Sequence, residues 1–336
     1  MIFSTEIDEK AWHHLVYHHP QGNIHQSPQI SRVYRQTKNY QPCVLGMLEE
    51  RSGEIKGIVS GVIISENLKM FSSLSRRVIV YGGPLVSPDA GSRDISGFMA
   101  AFDEMNTKTC AFSEVRNIHD MSAVFQSISH YRFVDHLNYL IDLQQPEDAI
   151  WKKINRQRKQ NIRRAEQSGV TVEEITHAGK IPVLYHMLEE TYRRVHVPLA
   201  DISLFHSAFH ELVPEGFAKF LLAKYEDRYV GALATLLYRD TIYGWYAGIA
   251  DDASTLYPVS LLVWHILRWG RENGYRTFDF GGAGHPKIPY GVREFKKRFG
   301  GEQVNYGRYI HVYSPLRMKF FHAGFRLYQK FFHHIL

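Results

Sequence analysis

The sequence predicts a mixed α+β protein built of two tandem units. Its 336 residues correspond to about two domains at roughly 150 residues each, enough chain for two buried cores. Along the whole chain, β-branched and aromatic runs alternate with stretches whose apolar residues recur at helical spacing. The order of elements is the third ground: helices, then an antiparallel meander, then a crossover helix and strand. That order is complete in the second half and looser in the first, so the duplication rests on element order and not on a residue-level repeat. Hydrophobic residues make up 44% of the chain and charged residues 22%, the balance of a folded globular protein and not of a disordered one.

In the first segment, residues 42–48 and 56–64 are apolar, β-branched runs around the turn Glu50-Arg51-Ser52-Gly53-Glu54, the pattern of a hairpin. Residues 70–80 read as further strand, ended by Tyr81-Gly82-Gly83-Pro84. Ile95, Phe98, Met99, Phe102 and Met105 recur at helical spacing and predict a helix over 95–105. A strand at 109–115, a short helix at 121–127 and a strand at 138–143 then close the first unit near residue 145. Pro146-Glu147-Asp148 starts a helix over 149–167, stopped by Gly169. Next come a strand at 170–175, a helix at 181–195 and strand-like runs at 217–225, 229–238 and 241–249. A helix at 258–273, a strand at 277–280, a glycine-rich loop, a short helix at 292–298 and a strand at 306–313 complete the second unit. Residues 316–336 form a basic, aromatic helix, so the expected divisions are 1–145, 146–315 and the tail 316–336.

Charge narrows the partners. Forty Lys and Arg against 34 Asp and Glu leave a formal charge of +6, which favours phosphorylated substrates, tRNA or an anionic membrane face. Cys43 and Cys110 are the only cysteines, too few for a disulfide framework or a cysteine zinc site, and they suit a reducing compartment. The first ten residues carry acids where a signal peptide needs a basic region and an apolar run, so export is not expected and a cytoplasmic location is. The most apolar stretch, residues 259–267, is about half of the ~20 residues a membrane span requires. The tail interleaves Arg317, Lys319, Arg326 and Lys330 with Phe320, Phe321, Phe325 and Phe331, a composition that suits either the inner face of a membrane or packing back on the domain. His14 and His18 stand at i, i+4 without a Glu between them or a third ligand, and read as surface histidines.

Two segments carry chemistry. On the helix over 149–167, Lys152, Arg156, Lys159 and Arg163 form one stripe at i, i+4, i+7 and i+11, beside an apolar stripe of Trp151, Ile154, Ile162 and Ala165. Such a face is either solvated charge or a surface for phosphate backbones. The loop Asp279-Phe280-Gly281-Gly282-Ala283-Gly284 is followed by a short helix on which Arg293 and Lys296 stand at i, i+3 beside Phe295 and Phe299. Glycines let a backbone approach a ligand and the helix holds the cations rigidly; a tight turn with a basic surface helix is the plain alternative. Asp279-Phe280-Gly281 matches the kinase triplet, but no GxGxxG loop or HRD segment accompanies it.

Tyr243-Gly244-Trp245-Tyr246-Ala247-Gly248, Phe278-Asp279-Phe280-Gly281-Gly282 and Phe295-Lys296-Lys297-Arg298-Phe299-Gly300-Gly301 resemble the second domain of the FemABX aminoacyltransferases, tandem GNAT-like proteins of peptidoglycan bridge formation. Asn161-Ile162-Arg163-Arg164-Ala165-Glu166-Gln167-Ser168-Gly169-Val170 is similar to the motif after that family's basic helix, and Ile24-His25-Gln26-Ser27-Pro28 and Tyr81-Gly82-Gly83-Pro84 to its first-domain signatures. The resemblance implies two tandem GNAT-like domains and transfer of an aminoacyl group from aminoacyl-tRNA to an amine of a UDP- or lipid-linked muramyl peptide, with no metal or redox cofactor. By motif position Lys296 would stabilise the developing oxyanion or a tRNA phosphate, and Tyr246 would line the acceptor cleft. Arg293, Tyr243 and Asp279, with Tyr81 and Arg35 of the first unit, would contact the acceptor; Lys152, Arg156, Lys159 and Arg163 would meet the donor tRNA. Asp279 is also the candidate general base, by proximity alone. Arg32 and Arg35 flank Tyr34, the position where the family often carries a binding cation.

Ordinary GNAT acetyltransferases hold the pyrophosphate of acetyl-CoA on an R/Q-x-x-G-x-G/A turn. Here that position reads Asp251-Asp252-Ala253-Ser254-Thr255-Leu256-Tyr257-Pro258, with two acids and no glycine. Two further readings stay open: an acyl-CoA-dependent N-acyltransferase acting on an amino sugar or a cell-surface polysaccharide, and a non-catalytic RNA-binding module.

Overall fold

The β-branched runs on either side of Gly53 pair as antiparallel strands, as their alternation predicts, and frame the first of two units in the computed structural model of the chain. Residues 1–65, 76–321 and 323 are described. The first unit comprises Met1–Asp135 and the chain from Tyr306 onward; the second is His136–Asn305.

With strands numbered in chain order through both units, the first unit holds β1 (Ile2–Ser4), β2 (Tyr40–Leu48), β3 (Ile55–Ile64), β4 (Arg77–Tyr81), β5 (Leu85–Val86), β6 (Phe112–Arg116), β7 (Arg132–Val134) and β15 (Arg308–Val312). They form one sheet of order β1-β2-β3-β4-β6-β15-β7, with β5 beside β3, and β4 with β6 is its parallel pair. Its helices are α1 (Glu9–His18), α2 (Pro28–Gln36), α3 (Ser92–Thr107) and α4 (Ser122–Phe125). Phe98, Met99 and Phe102 on α3 bury against Leu45, Val59, Val80 and Val115 of the sheet, which is why they recur at helical spacing. Each such side chain contributes about 1.5–3 kcal/mol on burial. Helix α1 starts where the Asp8 carboxylate accepts from the Ala11 N–H at 2.8 Å, and α2 where Ser27 caps a helix with Pro28 in its first turn.

The second unit holds β8 (Asn138–Asp142), α5 (Glu147–Lys153), α6 (Arg156–Gln167), β9 (Thr171–Glu174), α7 (Ile181–Arg194), α8 (Ser203–Leu212), β10 (Ala218–Tyr225), β11 (Arg228–Tyr238), β12 (Thr241–Ile249), α9 (Pro258–Glu272), β13 (Thr277–Asp279), α10 (Gly291–Lys297) and β14 (Glu302–Val304). Its sheet has the order β14-β8-β13-β12-β11-β10-β9, and β12 with β13 is its parallel pair. Both units are therefore meanders closed by a crossover into a parallel neighbour, which gives the tandem reading a topological basis.

Three expectations change. The divisions at residues 145 and 315 shift, because β8 pairs with β13 and β14 of the second unit and β15 pairs with β6 and β7 of the first. Each sheet is completed by the strand that ends the other segment of sequence. The helix expected over 149–167 is two helices: Ile154 and Asn155 are extended, the Asn155 N–H donates to the Arg298 carbonyl at 2.9 Å, and its side chain caps α6 by accepting from Gln157 N–H at 2.9 Å. Of the strand expected at 70–80 and the tail at 316–336, residues 70–75, 322 and 324–336 lie outside the described residues. The described start of the tail packs on the first unit: Phe321 meets Phe112 edge-on at 5.3 Å, and Arg317 donates to the Lys108 carbonyl at 2.9 Å. Among the described residues no helix is long and apolar enough to cross a membrane.

Candidate active site

The second unit opens at a fork in its sheet. Strands β12 and β13 pair only through Thr241–Tyr243 and Thr277–Asp279. Beyond Asp279 the chain follows β8 instead: Phe280 N–H donates to the Tyr139 carbonyl at 3.1 Å and Ala283 N–H to the Leu137 carbonyl at 2.5 Å. Strand β12 turns the other way at a bulge, since Ala234 faces Tyr246 while Thr235 faces Gly244, leaving Trp245 as the extra residue. Gly281 takes φ +71°, and a Cβ there would sit 2.7 Å from the Gly244 carbonyl oxygen, so the fork closes backbone against backbone only with glycine present. A cavity of ≈ 550 Å³ fills the opening, lined by Tyr246, Tyr257, Tyr290, Phe280 and Phe295 together with Lys296 and Arg158.

Lys296, on α10, is one of the two cations that line this cavity. Its Nζ donates to the carbonyl oxygens of Phe280 at 2.5 Å and Gly282 at 2.6 Å. An ammonium has three donors, so one remains for the cavity the side chain lines. Burial pushes its pKa down to about 8, against the opposing charge of Asp279.

Asp279 does not line that cavity. It is buried, and its Oδ1 accepts from Asn138 Nδ2 at 2.6 Å and from Gly281 N–H at 2.7 Å, while Asn138 Oδ1 accepts from Gly282 N–H at 2.9 Å. Burial raises its carboxyl above the usual range; the bonds from Asn138 and Gly281 and the charge of Lys296 oppose that shift. Buried outside the cavity lining, with Oδ1 holding the glycine loop, Asp279 stands as a positioning residue and not as the acceptor contact or base that proximity suggested. Arg293 is corrected likewise: its guanidinium donates to the carbonyls of His285 at 3.0 Å, Pro286 at 2.9 Å and Ile288, tying down the loop before α10. Tyr243 stands on β12 outside the cavity lining, and burial followed by the charge of Asp279 pushes its phenol up, so it stays protonated.

Tyr246 lines the cavity, its ring 4.9 Å from Phe205 and 5.8 Å from Tyr192. The basic stripe is divided by the break at Asn155, with Lys152 on α5 and Arg156, Lys159 and Arg163 on α6. Lys159 Nζ donates to the Lys152 carbonyl at 3.0 Å, and Arg163 lies over the Trp151 ring at 5.5 Å, so the stripe stays continuous across the break. Tyr81 and Arg35 belong to the first unit. Arg35 lines a separate pocket of ≈ 590 Å³; Tyr81 is not among its lining residues, stacking instead on His25 at 5.0 Å and accepting from Arg116 at 3.2 Å. In that unit the amide of Gln26 donates to the carbonyls of Gly82 at 3.1 Å and Gly83 at 2.7 Å, so a neutral group there does for its glycine turn what Lys296 does in the second unit.

Two further residues of the site, one that braces the glycine loop and one that lines the cavity, were not singled out from the sequence. Asn138 heads an apolar strand and looks structural until its partner Asp279, far along the chain, is in place. Arg158 had a signal: it falls between Ile154 and Ile162 on the apolar stripe, where a charge is out of pattern. It is buried, donates to Ser260 Oγ at 2.6 Å, and lies over Phe295 at 4.0 Å and Phe299 at 5.2 Å. Its Nε has no hydrogen-bond partner, and among the described residues no carboxylate pairs with it. Burial and then Arg298 push its pKa down to about 10.

Residues 152–297 match the family model of an acetyltransferase (GNAT) domain. FemX superposes with a TM-score of 0.70 at 13% identity, over 96% of this chain and 99% of that one. L-PGS from Bacillus licheniformis superposes at 0.60 with 14% identity, over 97% and 99%. A tandem GNAT protein of the clavulanic acid biosynthesis pathway superposes at 0.57 with 11% identity, over 91% and 95%. No curated protein matches in sequence. The forked sheet in the second unit, the parallel pair in each unit and these superpositions agree: the chain has a tandem GNAT-like fold similar to that of FemX, and its second unit carries a domain of the acetyltransferase (GNAT) type.

Proposed function

We propose that the chain moves an aminoacyl group from aminoacyl-tRNA to an amine of a muramyl peptide precursor, breaking the aminoacyl ester and forming an amide. The observation that carries this is Lys296, an ammonium fixed by two backbone carbonyls at the wall of an aromatic cavity. Attack of an amine on the ester carbonyl builds negative charge on the carbonyl oxygen, and a donor already oriented stabilises it without reorganisation. Tyr246 borders the acceptor side of the same cavity, and the exposed Lys152, Arg156 and Arg163 supply the charge a tRNA backbone needs.

The turn before α9 supports an RNA-borne donor over acyl-CoA. A pyrophosphate needs free N–H groups there. Here Asp251 N–H donates to Glu190 at 3.2 Å, and the N–H groups of Ala253, Leu256, Tyr257 and Ser260 donate to nearby carbonyls, so only part of the turn's N–H groups is open to an anion. Pro258 has none. The two acids are paired as well, Asp251 with Arg193 and Arg194 and Asp252 with Arg228.

The test is a transfer assay with mixed labelled aminoacyl-tRNAs and a nucleotide- or lipid-linked muramyl pentapeptide, which should place label on the peptide. Label moving from acetyl-CoA to an amino sugar would replace this donor assignment; RNA binding without any transfer would replace the enzyme. The matched acetyltransferase domain is the reason to include the acetyl-CoA arm.

Lys296 also sets a pH limit. Its proton is held below about pH 8 and lost above it, so kcat should fall as pH rises through that value, and the falling limb should vanish in Lys296→Met. A plateau up to pH 10 in the native protein would remove the ammonium from the mechanism. Arg158 should serve the cavity's anion: Arg158→Met should raise KM for the donor about 10–100-fold, the worth of a hydrogen bond to a charged group. Its melting temperature should hold or rise, because the lost group is a buried cation without a counter-ion. An unchanged KM with a large drop in melting temperature would make Arg158 purely structural.

A further inference from the structure

A second polar cluster lies in the first unit, away from the residues that carry the proposed transfer. Asp103 on α3 is buried, His130 precedes β7 at the surface, and His311 stands on β15. Asp103 Oδ2 is 2.9 Å from His130 Nε2 and 3.0 Å from His311 Nδ1, and all the ligating atoms lie within 4.8 Å of one another. The other carboxylate oxygen is engaged separately: Oδ1 accepts from Tyr131 at 2.7 Å and from Tyr313 at 2.6 Å, and the Tyr131 oxygen is also 2.7 Å from Ser113 Oγ.

We propose that Asp103, His130 and His311 bind a divalent first-row transition metal ion, with Zn²⁺ as its readiest form. Two imidazoles and one carboxylate are a donor set such ions favour. Ligands held about 2.1 Å from a metal stand about 3.0 Å apart at octahedral corners and about 3.4 Å apart at the tetrahedral corners Zn²⁺ prefers, so the 2.9 and 3.0 Å between the shared oxygen and the imidazole nitrogens need open by only a few tenths of an ångström to admit the ion. The rings are tilted by 60° with centroids 4.5 Å apart, and a nitrogen of each reaches the same Oδ2. Tyr131 and Tyr313 supply the supporting shell, fixing the carboxylate so that Oδ2 faces the histidines. His130 is exposed and gives the ion an entry path with room for water on its open side. In the bound form the metal takes the place of the two imidazole protons that point at Oδ2, and the neutral rings carry their protons on His130 Nδ1 and His311 Nε2. The ion would tie α3 to β15, the strand that brings the chain back into the first unit after residue 305.

The test is calorimetric titration of the chelator-dialysed full chain with Zn²⁺, paired with melting curves with and without the ion. One Zn²⁺ per chain and a raised melting temperature are expected. His130→Ala should weaken binding by at least about 100-fold, since loss of a supporting contact alone costs 10–100-fold; its surface position keeps the fold intact. The double variant His14→Ala/His18→Ala removes the exposed ring pair 4.3 Å apart on α1 and should leave binding unchanged. No binding by the native chain, binding that survives His130→Ala with His311→Ala, or binding lost only with His14 and His18 would each overturn the site and leave a hydrogen-bonded cluster joining α3 to β15.

Discussion

Lys296→Met should lower kcat about 10²–10³-fold, the usual effect of removing one oxyanion donor, with little change in donor affinity. Two of the three ammonium hydrogens are committed to the carbonyls of Phe280 and Gly282, so the side chain does not move to meet the substrate. Its charge is therefore worth more in the transition state than in the bound ground state, and the loss belongs in kcat and not in KM. Met keeps the unbranched stem of the side chain, one atom short of the ammonium, and its packing near Phe280, so a circular dichroism melt close to that of the native protein is the control. A variant that transfers at the native rate would leave Lys296 as a brace for the glycine loop alone. A variant whose KM for the donor rises while kcat holds would make it a binding cation.

The second large effect is on stability. Gly300→Ala should cost about 2–5 kcal/mol, combining about 1–2 for a left-handed residue that is not glycine with about 1–3 for overpacking. Gly300 has φ +76°, and a Cβ there would lie 2.2 Å from the Lys153 carbonyl oxygen and 2.5 Å from its carbon, backbone that cannot rotate away. Gly274 separates the two contributions, since it has φ +80° but nothing within 4 Å of a built Cβ. Gly274→Ala should therefore show only the backbone cost in urea or thermal melts. Equal losses in the two variants would mean that the approach to Lys153 carries no energy. The clash also has a functional reach, because Lys153 ends α5 and the neighbouring Asn155 N–H is bonded to Arg298, just past the helix that carries Lys296. Gly300→Ala should thus lower transfer by more than its unfolded fraction explains.

The periodic elements were legible because their patterns report burial directly. Residues 95–105 read as helix since Phe98, Met99 and Phe102 face one sheet, and 241–249 read as strand since β12 is paired on one side over its length. The break at Ile154–Asn155 was not legible: Lys152 to Arg163 keeps its helical spacing on both sides, and the stop is imposed by Arg298, far away in sequence, accepting from Asn155. Helix α8 was missed although Leu204, Phe205, Ala208 and Leu212 are buried at helical spacing.

At the site, the residue types were readable and their employment was not. Glycines and cations between Asp279 and Gly301 mark a loop brought close to something, and the family resemblance gave Lys296 its role there. Arg293 and Asp279 sit in the same segment with equal claims, and only their partners distinguish them, the carbonyls of residues 285–288 for one and Asn138 with Gly281 for the other. By itself the sequence determined the α+β class, the tandem order and the hairpins, because each follows from local periodicity or from turn chemistry, whereas Lys296 was singled out by its position in a motif that resembles the FemABX family's. The tertiary structure alone decided the exchange of β8 and β15 between the two sheets, the fork between β12 and β13, and which charges face the cavity. The strand exchange depends on pairings between residues more than a hundred positions apart and the fork on a parallel pair 36 positions apart, and a hydrogen bond between separate elements leaves no periodic trace in the chain that makes it.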